Sequence, residues 1–293
     1  NIFIMLKSGI YLNLDRSIDR KNSLIKSLNS SGLDSHNYER ISGIEPTSFE
    51  KEKSRGLKKP GEAGIWKSFI FSLEYISRNP SFEPFIHFLE DDSEMSPSIK
   101  RGIEISKYYM INNPKTDLIF LDYFINPPLA YELINLRKNY KKDFLFHNAS
   151  KFYMACMASF IIRKSSAYYI LEILKRIFNS ACPLTPIDIT LRKLLRLGII
   201  NGSIIEPSHS SPKFNPPLSE KSTIQTNVDQ SMHRSLEAHI LLRKLISGQF
   251  SVYFCGECLS NLFEIDNPLN KNSSTEEFLF FFTSCKEKYM QKF

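Results

Sequence analysis

The chain contains a single tryptophan and 11 glycines, and no apolar stretch in it reaches the length of a membrane span. A spanning helix needs about 18–20 apolar residues. The front segment, residues 2–6, is also too short for the apolar region of a secretory signal. The five cysteines (156, 182, 255, 258 and 285) are odd in number and scattered, in a chain too large to need disulfide staples. That usage fits a reducing compartment, and the expected location is cytoplasmic, with peripheral contact to the inner membrane. Cys255 and Cys258 form one CxxC without a second pair, which argues against a zinc site. Zinc-finger spacing and RNA-recognition signatures are missing too, so nucleic acid is not an expected partner. Low glycine content beside 42% hydrophobic residues argues against intrinsic disorder.

What is present is a 293-residue chain with a formal charge of +7. That length suits one large domain, or one domain with a helical appendage. A basic balance favours anionic partners such as phosphate-bearing small molecules or lipid headgroups. The densest basic stretches, 51–59 and 137–142, are short, and most of this charge reads as solvated surface.

Strand and helix patterns alternate along the first two thirds. Residues 9–14 (GIYLNL) read as a strand, and a helical pattern through Ile18, Leu24, Ile25 and Leu28 then ends at Gly32. A second strand is expected at 38–41, a polar basic loop at 45–59 and a helix over 61–77. The nearly continuous apolar run 84–89 (PFIHFL) has the look of a strand buried on both faces. Further helices are expected at 97–110, 164–178 and 186–197, and strands at 117–123, within 152–163 and at 198–205. A proline-rich loop follows at 206–217, and the chain is mostly helical from 228, with a break near 267–274. This alternation predicts an α/β sheet. Its expected division is a sheet domain over 1–228 and a helical extension over 229–293. Leu241-Leu242-Arg243-Lys244-Leu245-Ile246 in that extension predicts packing on the core, with room for contact to an anionic membrane or a partner.

The apolar run ends in Glu90-Asp91-Asp92. Open α/β sheets place their ligand crevice beyond the carboxyl ends of the strands. Carboxylates there can give Mg²⁺ or Mn²⁺ hard oxygen ligands, with water and donor phosphates completing the shell. A solvated acidic turn is the plainer alternative.

Three segments in order carry a family resemblance: residues 10–20 (IYLNLDRSIDR), Gly61-Glu62-Ala63-Gly64, and Phe88-Leu89-Glu90-Asp91-Asp92. The series resembles glycosyltransferase family 25, which holds lipooligosaccharide and collagen galactosyltransferases. Arg40-Ile41 and Pro186-Ile187-Asp188 resemble later boxes of the family. The likeness covers roughly residues 9–95 well and 155–225 loosely. It implies a GT-A-type, Rossmann-like nucleotide-sugar-binding fold and inverting transfer of a hexose, galactose by analogy, from a UDP-sugar to a saccharide acceptor. The setting it implies is bacterial surface-glycan (lipopolysaccharide or capsule) synthesis, with Mn²⁺ or Mg²⁺ as cofactor. Asn13, Asp15, Arg16, Arg20 and Ser68 fall on the donor-binding side, Glu90, Asp91 and Asp92 on the metal motif, and Asp188 at the acceptor side. The sequence departs from the family at Ser68-Phe69, where Ser-His is usual, at Gly43-Ile44-Glu45-Pro46, and at Ser93. These departures keep a second possibility open, a non-catalytic nucleotide-sugar or glycan-binding module.

Arg16 and Arg20 could pair with phosphate at a helix start, or form a surface set with Asp15 and Asp19. Asp188 could take the acceptor hydroxyl's proton, or cap a helix, a role Thr185 would fill equally well. Glu62, Asp122 and Glu206 are the reserve candidates for the base. His209 is a candidate third metal ligand or a solvated loop residue. His87 reads as core; Trp66 and Tyr11 could stack on a base or sugar, but with aromatics so plentiful they too read as core.

Overall fold

The computed structural model describes residues 6–46, 48–140, 143–212, 230–246 and 248–290. The front segment 2–6, the rest of the proline-rich loop and the 228/229 boundary fall in whole or part outside those residues.

The architecture is a seven-stranded sheet in the order β2-β1-β3-β9-β5-β10-β7. The strands are β1 (Lys7–Asn13), β2 (Tyr38–Ser42), β3 (Phe82–Glu90), β5 (Leu118–Phe120), β7 (Leu145–Asn148), β9 (Ser159–Arg163) and β10 (Gly202–Glu206). Strands β2, β1 and β3 run parallel, as do β5 and β10, whereas β9 is antiparallel to both neighbours and β7 is antiparallel to β10. This is the α/β sheet that the alternating pattern predicts, in the Rossmann-like arrangement that the family resemblance implies. Two short ribbons sit beside the sheet: β4 (Ser93–Met95) with β11 (Ser210–Pro212), and β6 (Phe124–Ile125) with β8 (Tyr153–Ala155).

Helices cover both faces because successive strand residues point to opposite sides. Tyr11, Leu89, Ile119, Ile161 and Ile205 pack with Leu24 and Leu28 of α1 (Ile18–Ser30) and Ile99, Ile103 and Met110 of α4 (Ile99–Asn112). Their immediate neighbours Ile10, Phe88, Phe120, Phe160 and Ile204 face the other way. There they meet α3 (Pro60–Arg78), α7 (Lys164–Asn179) and α8 (Ile187–Arg196). At the centre Phe88 stacks on Phe160 with centroids 4.7 Å apart, and Phe69 of α3 meets Phe88 edge-on at 5.2 Å. Such contacts add about 0.5–1.5 kcal/mol beyond burial.

His87 is fully buried, bonded to the Tyr38 hydroxyl and the Ser159 hydroxyl at 2.9 Å each. Burial pushes its pKa down to about 3, so it sits in the core as a neutral ring. Trp66 is equally buried, and its indole N–H donates to the Thr185 carbonyl at 2.9 Å. Both act as core residues.

The structure adds elements where the pattern was silent or polar. The basic loop holds a short helix, α2 (Glu50–Ser54), after which the Arg55 guanidinium donates to the carbonyls of Ile177, Phe178 and Cys182. One of the expected surface cations is therefore a cap on the C-terminus of α7, supplying donors to carbonyls a helix end leaves unpaired. Residues after β6 form α5 (Pro127–Asn139), whose leading prolines suit a first helical turn. A short helix, α6 (Ala149–Phe152), precedes β8.

The C-terminal segment is helical as expected: α9 (Gln230–Ile246), α10 (Val252–Phe263) and α11 (Thr275–Met290). Leu241, Leu242, Leu245 and Ile246 are buried in the same apolar cluster as Ala130 and Leu133 of α5 and the sheet residues. The stretch that suggested membrane contact thus turns its apolar side chains inward, and Arg243 within it is 5% exposed. No helix among the described residues is long and apolar enough to cross a membrane.

Candidate functional site

The ends of β1 and β3, the start of α1 and the start of α3 enclose a cleft of about 490 Å³. That is within the range of about 300–1,000 Å³ usual for small-molecule sites. Asn13, Arg16, Arg20, Ser68, Glu90, Asp91 and Asp92 all line it, so seven of the residues singled out in the sequence converge on one pocket. Register explains the meeting. Leu12 of β1 lies opposite Glu90 of β3, which places Asn13 beside the acidic triplet.

The triplet is held by its neighbours. Arg20, 7% exposed in the first turns of α1, forms ion pairs with Asp91 and, at 3.1 Å, with Asp92. The Asn13 amide donates to the other Asp91 oxygen at 2.7 Å and to the Ser17 carbonyl at 2.9 Å. Asn13 is itself fixed by the Arg40 Nε–H at 2.9 Å. Both oxygens of Asp91 are therefore engaged. Asp92 keeps one buried oxygen, Oδ1, without a hydrogen-bond partner among the described residues. Burial raises the pKa of Glu90 above the usual carboxylate range, and the charges of Asp92 and Asp91 push it further. Asp91 is raised chiefly by burial, against the pull of Arg20.

The floor and rim explain the two glycine-bearing segments. A Cβ on Gly64 would stand 2.7 Å from the Ile44 carbonyl oxygen, so α3 can approach the loop after β2 only with glycine there. Ser68, one turn further, accepts from the Ile44 N–H and donates to the Gly64 carbonyl, both at 2.8 Å. Its neighbour Phe69 points away into the core, so the Ser68-Phe69 departure leaves the cleft's polar lining untouched. The Glu45-Pro46 departure does reach the cleft, where Glu45 pairs with Arg16 across its mouth. Glu62 accepts from the N–H groups of Lys58 and Lys59 at 2.7 and 3.3 Å and closes the N-terminus of α3.

Asp188 is not among the residues that line the cleft; its charge still reaches Glu90 and adds, after burial and the neighbouring acids, to the rise in that pKa. It occupies the first turn of α8 but does not cap it, since the N-cap position is Pro186. Its carboxylate accepts from the N–H of Ile189 at 2.8 Å and of Cys156 at 3.3 Å. Cys156 has a φ of 76°, a left-handed conformation uncommon for a non-glycine residue. Burial holds the Asp188 carboxyl above its ordinary range, partly offset by those amides and by Arg192. Tyr153, 1% exposed, lies in the electrostatic field of Asp188, Cys156 and Glu90, and its buried hydroxyl has no hydrogen-bond partner among the described residues. Tyr153 and Cys156 were not identifiable from sequence, because nothing local marks them.

Two expected residues lie elsewhere. Asp15 is exposed and accepts from Ser42 at 2.6 Å and Arg40 at 2.5 Å, supporting the Arg40–Asn13 arm from outside the cleft lining. His209 is not brought to the triplet. It is fully buried beneath α4, where a Cβ on Gly102 would stand 2.6 Å from its ring, and its Nδ1 shares a hydrogen bond with Ser98 at 3.1 Å. The reserve bases are also engaged, Asp122 with Arg243 and Glu206 with Arg137.

Among the described residues, no group of three or more His, Cys, Asp or Glu side chains is arranged to hold a metal ion unaided. The donors that fit a hard divalent cation are the unpartnered Asp92 Oδ1 and the Glu90 carboxylate beside it. Asp91 does not fit, because both its oxygens are taken.

No protein-family model matches the chain, and no curated protein matches it. Among solved structures, the chain is similar to S. aureus TarS 1-349 in complex with UDP-GlcNAc. The TM-score is 0.35 at 11% identity, covering 97% of this chain and 81% of that one. A likeness at that level assigns no function to this chain.

Proposed function

We propose that the protein is a glycosyltransferase that takes a hexose from a UDP-sugar and passes it to a saccharide acceptor. The observation that carries this is the convergence of Asn13, Arg16, Arg20, Ser68 and Glu90-Asp91-Asp92 on one cleft at the carboxyl edge of the parallel strands, with Asp188 electrostatically linked to Glu90. An N-terminal helix end and the exposed Arg16 suit a diphosphate. Galactose, an inverting course and a bacterial surface-glycan acceptor rest on the family-25 resemblance of the sequence.

In this reading Arg16 exchanges Glu45 for a donor phosphate, and Arg20 keeps Asp91 and Asp92 from repelling each other. Asp92 and Glu90 would hold Mn²⁺ or Mg²⁺ together with the donor's phosphates. Such an ion supplies Lewis-acid stabilisation of the leaving diphosphate. Asp188 acts as general base: its raised pKa suits proton uptake, and the amides of Cys156 and Ile189 fix its orientation while leaving lone pairs free.

The test combines binding and turnover. UDP should stabilise the protein more when Mn²⁺ or Mg²⁺ is present, and Asp92→Asn should erase that difference with little change in apo melting temperature. Asp188→Asn should retain UDP binding and lower kcat by about 10²–10⁴-fold. Metal-independent UDP binding that Asp92→Asn leaves unaltered removes the triplet from the site. One observation favours the second reading, a non-catalytic binding module: Arg20 already occupies part of the position a cation would take. UDP binding without turnover of any UDP-hexose would favour that module.

A further inference from the structure

A second cavity of about 370 Å³ opens between the β4–β11 ribbon and α9. Ser208, His209 and Ser210 line it from the sheet side, and Arg243 and Lys244 from the helix. Several polar groups around it are buried and lack a hydrogen-bond partner among the described residues: Nε and Nη2 of Arg243, Nε2 of His209 and the hydroxyl of Ser210. Arg243 is 5% exposed, and its ion pair with Asp122 runs through Nη1 alone. His209 Nδ1 is engaged with the Ser98 hydroxyl, so when that hydroxyl donates, Nε2 carries the ring's hydrogen. Lys244 adds a half-buried ammonium that reaches Gln249 at 3.2 Å. Glu94 is the opposing charge in the lining, and it is exposed at the rim.

Buried donors are normally paired, and those left over indicate a missing acceptor. Among the lining side chains the unmatched groups are donors or, in the serine, a hydroxyl that can donate; the Arg243 guanidinium is one of them, and the Lys244 ammonium stands next to it in sequence. A neutral hydroxyl ligand would bring a donor of its own. An acceptor-only oxyanion would not, and it gains charge-assisted bonds from both cations. We propose that this cavity is a second binding site, taking a phosphate-type oxyanion held by Arg243, Lys244, Ser210 and His209. It is separate from the nucleotide-sugar cleft and does not depend on the transferase reading.

The experiment is calorimetric titration of inorganic phosphate into the full chain, saturated with UDP and at constant ionic strength. Saturable binding is expected, weakened at least tenfold in the Ser210→Ala/Lys244→Gln variant and unchanged in Arg16→Gln. Arg243 is left in place because its removal would strand Asp122. If the double variant does not fold, Lys244→Gln alone is read in the same way. A parallel titration with glucose 6-phosphate identifies the source: equal affinity marks a free phosphate site, tighter binding an anion carried on a saccharide, and either supports the site. Binding that chloride matches at the same ionic strength, or that these variants leave unchanged, overturns it.

Discussion

Two groups of acids stand along the same edge of the sheet, and their surroundings set them apart. At the end of β3, Glu90, Asp91 and Asp92 share one close cation, Arg20, and open onto a cleft. Beyond β5 and at the end of β10, Asp122 and Glu206 are each fully buried and each has its own arginine, Arg243 and Arg137. The first group has carboxylates in excess, with an Asp92 oxygen unspent. The second is balanced one to one and lies beneath α9 and α5. Position at the carboxyl edge therefore does not suffice to make an acid functional; what matters is whether the fold has already neutralised it.

The largest effect that would test this contrast is expected at the closed group. Arg243 comes from the last third of the chain and meets an acid that follows β5, with its guanidinium also over the Phe124 ring at 5.3 Å. Removing one member of a buried pair leaves an uncompensated charge and costs about 3–5 kcal/mol, whereas replacing both members is often nearly neutral. Arg243→Met should therefore lower unfolding stability by about that amount, and Asp122→Asn/Arg243→Met should recover most of it. Additive losses in denaturant titrations would mean that the two residues are not coupled and that the closed group is not a unit.

A smaller and opposite response is expected at the open group. Arg20→Gln leaves Asp91 and Asp92 facing each other, with the Asn13 amide still donating to one oxygen of the buried Asp91. The variant should be destabilised without added metal, and Mn²⁺ should stabilise it more than it does the wild type. Saturation at about a hundredfold over Kd corresponds to about 2.7 kcal/mol. Arg243→Met should gain nothing from Mn²⁺, since its lone carboxylate is enclosed. Equal Mn²⁺ responses in both variants would erase the distinction between an open and a closed acid cluster.

The pattern of legibility follows from the same physics. The sheet apart from β7, its flanking helices and the triplet were readable because each is written locally, in apolar runs that end in polar residues and in helix periodicity. Asn13, Arg20 and Ser68 were found through short motifs at strand and helix ends. Tyr153 and Cys156 were not, because they reach Asp188 only through the turn between β8 and β9. His209 had the look of a loop residue, yet Gly102 on α4 makes room for its ring and buries it. Asp122 and Glu206 looked like spare bases because Arg243 and Arg137 come from other parts of the chain. Pairing at such distances leaves no local trace, so the packing of α9 on the core was expected but not the ion pair it makes there.

The smallest expected effect concerns Glu206, and it tests how complete the neutralisation of the closed group is. Glu206 accepts from Arg137 at 2.7 Å through Oε1, but its Oε2 has no partner. Burial pushes its pKa up to about 7, and Arg137 offsets only part of the rise. A carboxyl with a folded pKa above its unfolded value of 4.5 binds its proton more tightly in the native state. Stability from this group is thus fully present below about pH 4.5 and is lost as pH rises toward 7, by at most about 1.4 kcal/mol per pH unit. Glu206→Gln cannot titrate, so its stability relative to wild type should improve steadily across that window. The Arg137 contact should matter little to the slope, because Arg137 is 30% exposed and water can solvate its charge. A wild-type-to-variant difference that stays flat from pH 4.5 to 7 would mean that Arg137 neutralises Glu206 fully, making the closed group more complete than its unpartnered oxygen indicates.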